Sequence, residues 1–372
     1  MNNIQLDNPD KLNEAAKVAV TQALSVKPGE RVLIVTNPPR ETLRISMALH
    51  NAVQDAGGIP VLIVQPVKSQ LDFADDAVIQ AISAVPDAFI SMSAQKLGKD
   101  RFAIVEPYTV DGKTYDHVFH YLMASKQLRA FWSPAATEDM FIRTIPIDYE
   151  RLVKEVKFVK DVLDQAEEVH ITSPGGTDLM IGMHDRETME DDGNLSFKGA
   201  GGNLPAGEAF ISPELGSSNG IIVFDGSVSL HDEDRIVKEP VTVKVKEGFV
   251  TEVQGGKEAE LLQQTIDYGE KQALLFEQQG KLSAGKGDEY KRNARSLGEL
   301  GIGLNPAGTI TGHMLEDEKA YETCHIAIGS NYDNDAPALI HLDCLVKAPT
   351  IVARYKDGRR FTLLHGGVLQ KQ

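Results

Sequence analysis

R-V-L-I-V-T at residues 31–36, T-L-R-I-S-M-A-L-H-N-A-V-Q-D-A at 42–56 and P-V-L-I-V at 60–64 decide the first half of the fold. The outer two are short apolar runs of buried-strand type, and the middle one has helical spacing that stops at Gly57-Gly58. Strand, helix, strand at this spacing means a parallel pair joined by a right-handed crossover. The pattern extends outward. Residues 12–24 have helical spacing and end at Lys27-Pro28-Gly29, while A-F-I-S-M at 88–92 and R-A-F-W-S at 129–133 continue the sheet. Residues 1–155 are therefore expected to form an α/β domain with a Rossmann-like parallel sheet. Its first strand runs into Asn37-Pro38-Pro39, with neither the G-x-G-x-x-G turn nor the G-K-[ST] loop that would cradle phosphates.

A long helix is expected over residues 147–166, with Leu152, Val153, Val156, Val159, Val162 and Leu163 on its apolar face. Beyond it the texture changes to short strands and glycine-rich turns: 179–183, 220–224, and 241–253 broken by the Lys246-Glu247-Gly248 turn. A helix is expected over 258–266. Residues 156–372 read as a C-terminal α+β domain that carries the metal-binding, catalytic chemistry.

The chain has 372 residues and a formal net charge of −16. A nucleic-acid partner needs a basic surface, and an anionic membrane surface does too, so neither fits. Residues 1–10 show no signal-peptide core, and no window approaches the ~18 apolar residues of a membrane span. Two cysteines, Cys324 and Cys344, make no disulfide framework. A cytoplasmic location is expected.

The chemistry concentrates near the C-terminal end. C-H-I-A-I-G-S-N-Y at 324–332 and A-L-I-H-L-D-C-L-V at 338–346 both read as strands. His341 and Asp343 are two apart and so share one face of a pleated strand, while Cys324, Leu342 and Cys344 alternate with the polar residues and should pack. His325 on a neighbouring strand adds a second imidazole. Upstream, Glu299 lies in the apolar, glycine-flanked L-G-E-L-G-I-G at 297–303, and Glu208 opens an apolar strand after N-L-P-A-G at 203–207. A carboxylate in such a setting needs a partner. Two Glu, two His and one Asp, with no thiolate, suit a pair of divalent cations bridged by carboxylate and water. Other acids read as bland: Glu318 and Glu322 as surface residues of a loop, and Glu187, Glu190, Asp191 and Asp192 as a solvated face. Gly199-Ala200-Gly201-Gly202 reads as a flexible turn, and His313 as a turn residue.

These motifs, taken in order with K-P-G-E-R-V-L-I at 27–34 and G-T-D-L at 176–179, resemble the dinuclear metallo-aminopeptidases of the aminopeptidase T and aminopeptidase S type. The resemblance implies that Glu208, Glu299, His325, His341 and Asp343 are metal ligands for two divalent cations, Zn, Co or Mn. It implies that Tyr332 stands at the metal site and donates to a tetrahedral oxyanion, with Glu299 and Glu318 the candidates for moving the proton. It also implies a homodimer, a peptide substrate and a hydrolase that removes N-terminal residues. A second reading keeps the fold and changes the reaction: a mononuclear iron dioxygenase acting on dihydroxypyridine rings, motivated by the short interval from His325 to His341. A third is a binding protein that has lost catalysis.

Overall fold

The computed structural model describes residues 9–69 and 72–371; residues 1–8, most of the stretch read as lacking a signal-peptide core, lie outside them. The chain divides into two compact units. One comprises residues up to Val153 together with Asp191–Ala206, and the other comprises Lys154–Glu190 and Gly207–Gln372.

The first unit is built on a five-stranded parallel sheet in the order Gly201–Asn203, Arg129–Trp132, Ala88–Met92, Arg31–Thr36, Ile59–Val64. Ala88–Met92 is buried throughout and Arg31–Thr36 from its second residue on, as central strands covered on both faces must be. Helix Arg40–Asp55 crosses between two of them. It closes where Gly57, at φ 80°, donates to the Gln54 carbonyl and Gly58 to that of Val53. Arg129 is buried and pairs with Glu30 at 2.6 Å. Burial alone would raise the Glu30 carboxyl, but the Arg129 hydrogen bond prevails and holds it below the usual range. At the end of the first strand, Asn37 donates to the Gln65 carbonyl and accepts from the Ala94 amide. The place where a phosphate turn would stand is thus tied off by side-chain bonds.

Three local expectations change. Residues 12–24 split into helix Pro9–Val18 and a π-helical turn, Ala19–Ala23. The glycine stretch read as a flexible turn supplies Gly201–Asn203, which joins the parallel sheet beside Arg129–Trp132. Asp191 is buried and not part of a solvated face.

The second unit contains an eight-stranded antiparallel sheet and the inner strands of a seven-stranded one. The chain enters through helix Tyr149–Leu163, which stops short of the expected end because Ala166–Thr172 is already a strand. Val241–Lys246 and Phe249–Gln254 pair about the expected turn, with Glu247 at φ 50° and Gly248 at φ 78°. Helix Lys257–Gln278 runs well past the expected 258–266, since polar residues on its outer face hide the continuation. No helix among the described residues is long and apolar enough to cross a membrane.

Candidate metal centre

Four neighbouring strands of the seven-stranded sheet carry the site: Glu208–Ile211, Leu297–Gly303, Thr323–Gly329 and His341–Lys347, paired antiparallel in that order. The register determines which side chains share a face. Glu208 stands opposite Gly303, Gly301 opposite His325, Glu299 opposite Ala327, Ala327 opposite Asp343, and Gly329 opposite His341. Directly paired residues point the same way, and so do residues two apart on one strand. Glu208, Glu299, His325, His341 and Asp343 therefore all leave one face. The positions between them on that face are Gly301, Gly303, Ala327 and Gly329, small residues that leave room. A Cβ on Gly301 would stand 2.0 Å from His325 Nε2, so the imidazole occupies the space a side chain there would fill.

The opposite face is apolar. Leu300, Ile302, Cys324, Ile326, Ile328, Leu342, Cys344 and Val346 are all buried. Both cysteines are free, and burial pushes their thiols up. A register shift between Leu297 and Glu299 marks a bulge at the start of the Glu299 strand, a device that re-aims side chains.

Glu299 is the hub of the group. Its Oε1 lies 3.0 Å from His325 Nε2 and its Oε2 3.2 Å from His341 Nε2, and His341 Nε2 is 3.3 Å from Asp343 Oδ1. His341 Nδ1 lies 2.7 Å from the Ser330 carbonyl. Nδ1 must therefore donate, and Nε2 becomes the nitrogen with a lone pair to offer. His325 Nε2 also faces Glu208 Oε2 at 3.6 Å. Among the described residues the compact donor sets that include these side chains are two, Glu208/Glu299/His325 and Glu299/His341/Asp343, with Glu299 shared.

Two further residues belong here. Lys319 is fully buried, and its Nζ lies 2.5 Å from Glu208 Oε1 and 2.5 Å from Glu318 Oε1. Glu318, read above as a loop acid and as one candidate for moving the proton, is thus a member of the site, while Glu322 is exposed as expected. The structure brings the five predicted side chains together and adds these two. Their only trace in the sequence is the charged run Asp317-Glu318-Lys319 just before the His325 strand, which carries no mark of burial.

Burial and charge shape the protonation. Burial pushes the Glu208 carboxyl up to about 8 against the pull of Lys319, and it raises Glu318 as well. Burial would also raise Glu299 and Asp343, but their imidazole partners outweigh it; Glu299 is lowered, and His341 holds Asp343 down at about 2. Burial would lower both imidazoles, yet Glu299 raises His325 to about 9, and Asp343 holds His341 well above the usual value.

Access is one-sided. Glu208, Glu299, His325 and Lys319 form a buried floor, whereas the side chains of His341 (23% exposed), Glu318 (15%) and Asp343 (13%) reach solvent. Tyr332 is half exposed at this mouth, its ring centroid 5.4 Å from that of His341 and 5.2 Å from that of Phe210. Its loop is anchored by the Tyr332 amide donating to Ser212 Oγ and by Arg186 pairing with Asp335 at 2.7 Å. Burial of the hydroxyl, with Glu299 and Asp343 near it, pushes the phenol up, so it stays a donor.

The donor set fits a divalent metal. Asp343 Oδ1 is buried without a hydrogen-bond partner, beside the His341 imidazole and in a group of four acids with one lysine. A buried acceptor left in that state is costly, and a cation satisfies it.

A family model described as 2,5-dihydroxypyridine 5,6-dioxygenase matches residues 135–325. A curated relative, 2,5-dihydroxypyridine 5,6-dioxygenase of Pseudomonas putida, is 25% identical over 130 residues, 35% of this chain; the match spans 37% of that relative's length. Among solved structures, 2,5-dihydroxypyridine dioxygenase from Pseudomonas putida superposes with a TM-score of 0.71 at 16% identity, covering 98% of each chain. AmpT from Thermus thermophilus gives 0.66 at 17% identity, covering 98% of this chain and all of that one. At such identities the two structures show the shared fold alone. The family match and the curated relative overturn the aminopeptidase expectation: the chain is not placed with the metallo-aminopeptidases, and the hydrolase and protease readings go with that placement. The shared fold explains the error, because a fold held in common does not fix the reaction.

Proposed function

Because the chain belongs to the 2,5-dihydroxypyridine 5,6-dioxygenase family, we propose that it is an iron-dependent dioxygenase that opens the ring of a small dihydroxylated nitrogen heterocycle. The family match across residues 135–325, a stretch that includes Glu208, Glu299 and His325, is the observation that carries this reading. Glu299, His341 and Asp343 would hold the metal, being the compact donor set on the solvent-accessible side. A bound ferrous ion supplies the one-electron chemistry that lets dioxygen react with an aromatic diol, which no side chain in this group can provide.

The chain's own residues prepare that reaction in four ways. The Ser330 carbonyl fixes the His341 tautomer and points Nε2 at the group. His325 holds the other oxygen of Glu299, so the carboxylate cannot rotate away. Tyr332, kept protonated at the mouth, donates a hydrogen bond to a ring oxygen of the substrate. Glu318, partly exposed and with its carboxyl raised by burial, is placed to accept a proton from a substrate hydroxyl.

The test is to load the purified protein with ferrous iron without air, add 2,5-dihydroxypyridine and oxygen, and follow the substrate's ring absorbance. Loss of the absorbance that needs both iron and oxygen, and that a chelator stops, is expected. No loss with this or related dihydroxypyridines would overturn the reading.

A further inference from the structure

We propose that the buried Lys319 ammonium takes the place of a second metal cation and thereby holds the centre to one ion per chain. This rests on the one-iron reading above and assigns a role to a residue that reading does not use. Two donor sets share Glu299, which is the arrangement a two-cation site needs. The inner set, Glu208/Glu299/His325, is the more buried, yet a positive charge already stands against it. Lys319 Nζ is 2.5 Å from Glu208 Oε1, in a fully buried residue.

The placement follows from the local chain. Helical turn Met314–Asp317 is pinned by its own acids: Glu316 accepts from the Thr309 amide and hydroxyl, and Asp317 from the amides of Thr311 and Gly312. The next two residues, Glu318 and Lys319, are thereby aimed at the sheet. Lys319 bridges Glu318 and Glu208, residues that would otherwise be two carboxylates facing each other in a buried space.

The position of the charges favours one ion. The site has four acids, Glu208, Glu299, Glu318 and Asp343. One divalent cation and one ammonium leave them nearly balanced. A second divalent cation in the inner set would lie beside the ammonium, with like charges close together in a poorly screened interior. An ammonium also has no lone pair to donate and no redox chemistry, so it satisfies Glu208 without creating a second reactive centre.

The proposal is tested by metal content per chain, measured after equilibrium dialysis against zinc as a redox-inert probe and, without air, against ferrous iron. Wild type is expected to hold one ion. Lys319→Met removes the charge while keeping the length, and is expected to hold two. Lys319→Met with Glu208→Gln is expected to return to one. Lys319→Met that folds, by circular dichroism, and still holds one ion overturns the proposal while leaving the one-iron reading intact. Wild type that holds two overturns both. Should Lys319→Met fail to fold, Glu208→Gln decides: the proposal expects one ion bound with unchanged affinity, since Lys319 and not the metal engages Glu208, and loss of that ion overturns it.

Discussion

Gly301→Ala should disable the centre through a single methyl group. The added Cβ would stand 2.0 Å from His325 Nε2 and 2.1 Å from Cε1, against an ordinary contact near 3.5–4.0 Å, so the imidazole must retreat by about 1.5 Å. It has little room, because every residue of both strands, Leu297–Gly303 and Thr323–Gly329, is buried. Retreat breaks the 3.0 Å contact with Glu299 Oε1 and frees the carboxylate that also faces His341. Overpacking of this kind costs about 1–3 kcal/mol of stability. Loss of the partner that orients a ligand lowers metal affinity by roughly 10–100-fold. Chemical denaturation gives the first quantity and competition with a metal-binding dye the second. A Gly301→Ala protein with wild-type stability and wild-type metal affinity would refute the placement of His325 over Gly301, and with it the shared-face geometry.

Other consequences follow from the same geometry. His341→Ala should abolish stoichiometric metal binding and keep the fold, whereas Leu342→Ala, on the buried opposite face, should lose about 2–5 kcal/mol of stability and bind metal normally when folded; the reverse pattern would put the wrong face towards the metal. In the metal-free protein the imidazoles are raised by Glu299 and Asp343, so binding must expel protons: affinity should rise with pH, by up to about tenfold per unit for each proton released, and calorimetry in buffers of differing ionisation enthalpy would detect a pH-independent exception. His117 caps helix Val118–Ala124 through Nδ1, and burial lowers its pKa to about 4. The unfolded chain therefore takes up a proton first, and stability falls as pH drops below the unfolded value near 6.5. The loss is about 2 kcal/mol between about pH 7 and 5, and denaturant midpoints for wild type and His117→Asn should diverge over that window; parallel curves would show that His117 is not the cause.

The strands were legible because their information is local. A short apolar run identified Ala88–Met92, and the Lys246-Glu247-Gly248 turn identified the pairing of Val241–Lys246 with Phe249–Gln254. The i, i+2 spacing of His341 and Asp343 placed both on one face, with Leu342 and Cys344 packed behind. Lys319 was not legible, since nothing near it in sequence says that its charge will be buried against Glu208, 111 residues away. Glu318 was legible only as one candidate among the loop acids, for the same reason. Nor could spacing show that Gly301 exists to admit an imidazole, because that depends on its register with His325. The reaction class was the least legible of all: the five side chains are compatible with a hydrolytic two-metal site and with a one-metal oxygenase, and it is the family to which the chain belongs that separates them.

The most direct measurement is a single turnover of 2,5-dihydroxypyridine by the iron-loaded protein under isotopically labelled dioxygen, with the product analysed by mass spectrometry, and the same turnover repeated in labelled water with ordinary dioxygen. A ring-cleaving dioxygenase predicts a ring-opened product carrying both atoms of the labelled dioxygen. A product labelled only from water, or substrate recovered unchanged, would contradict it.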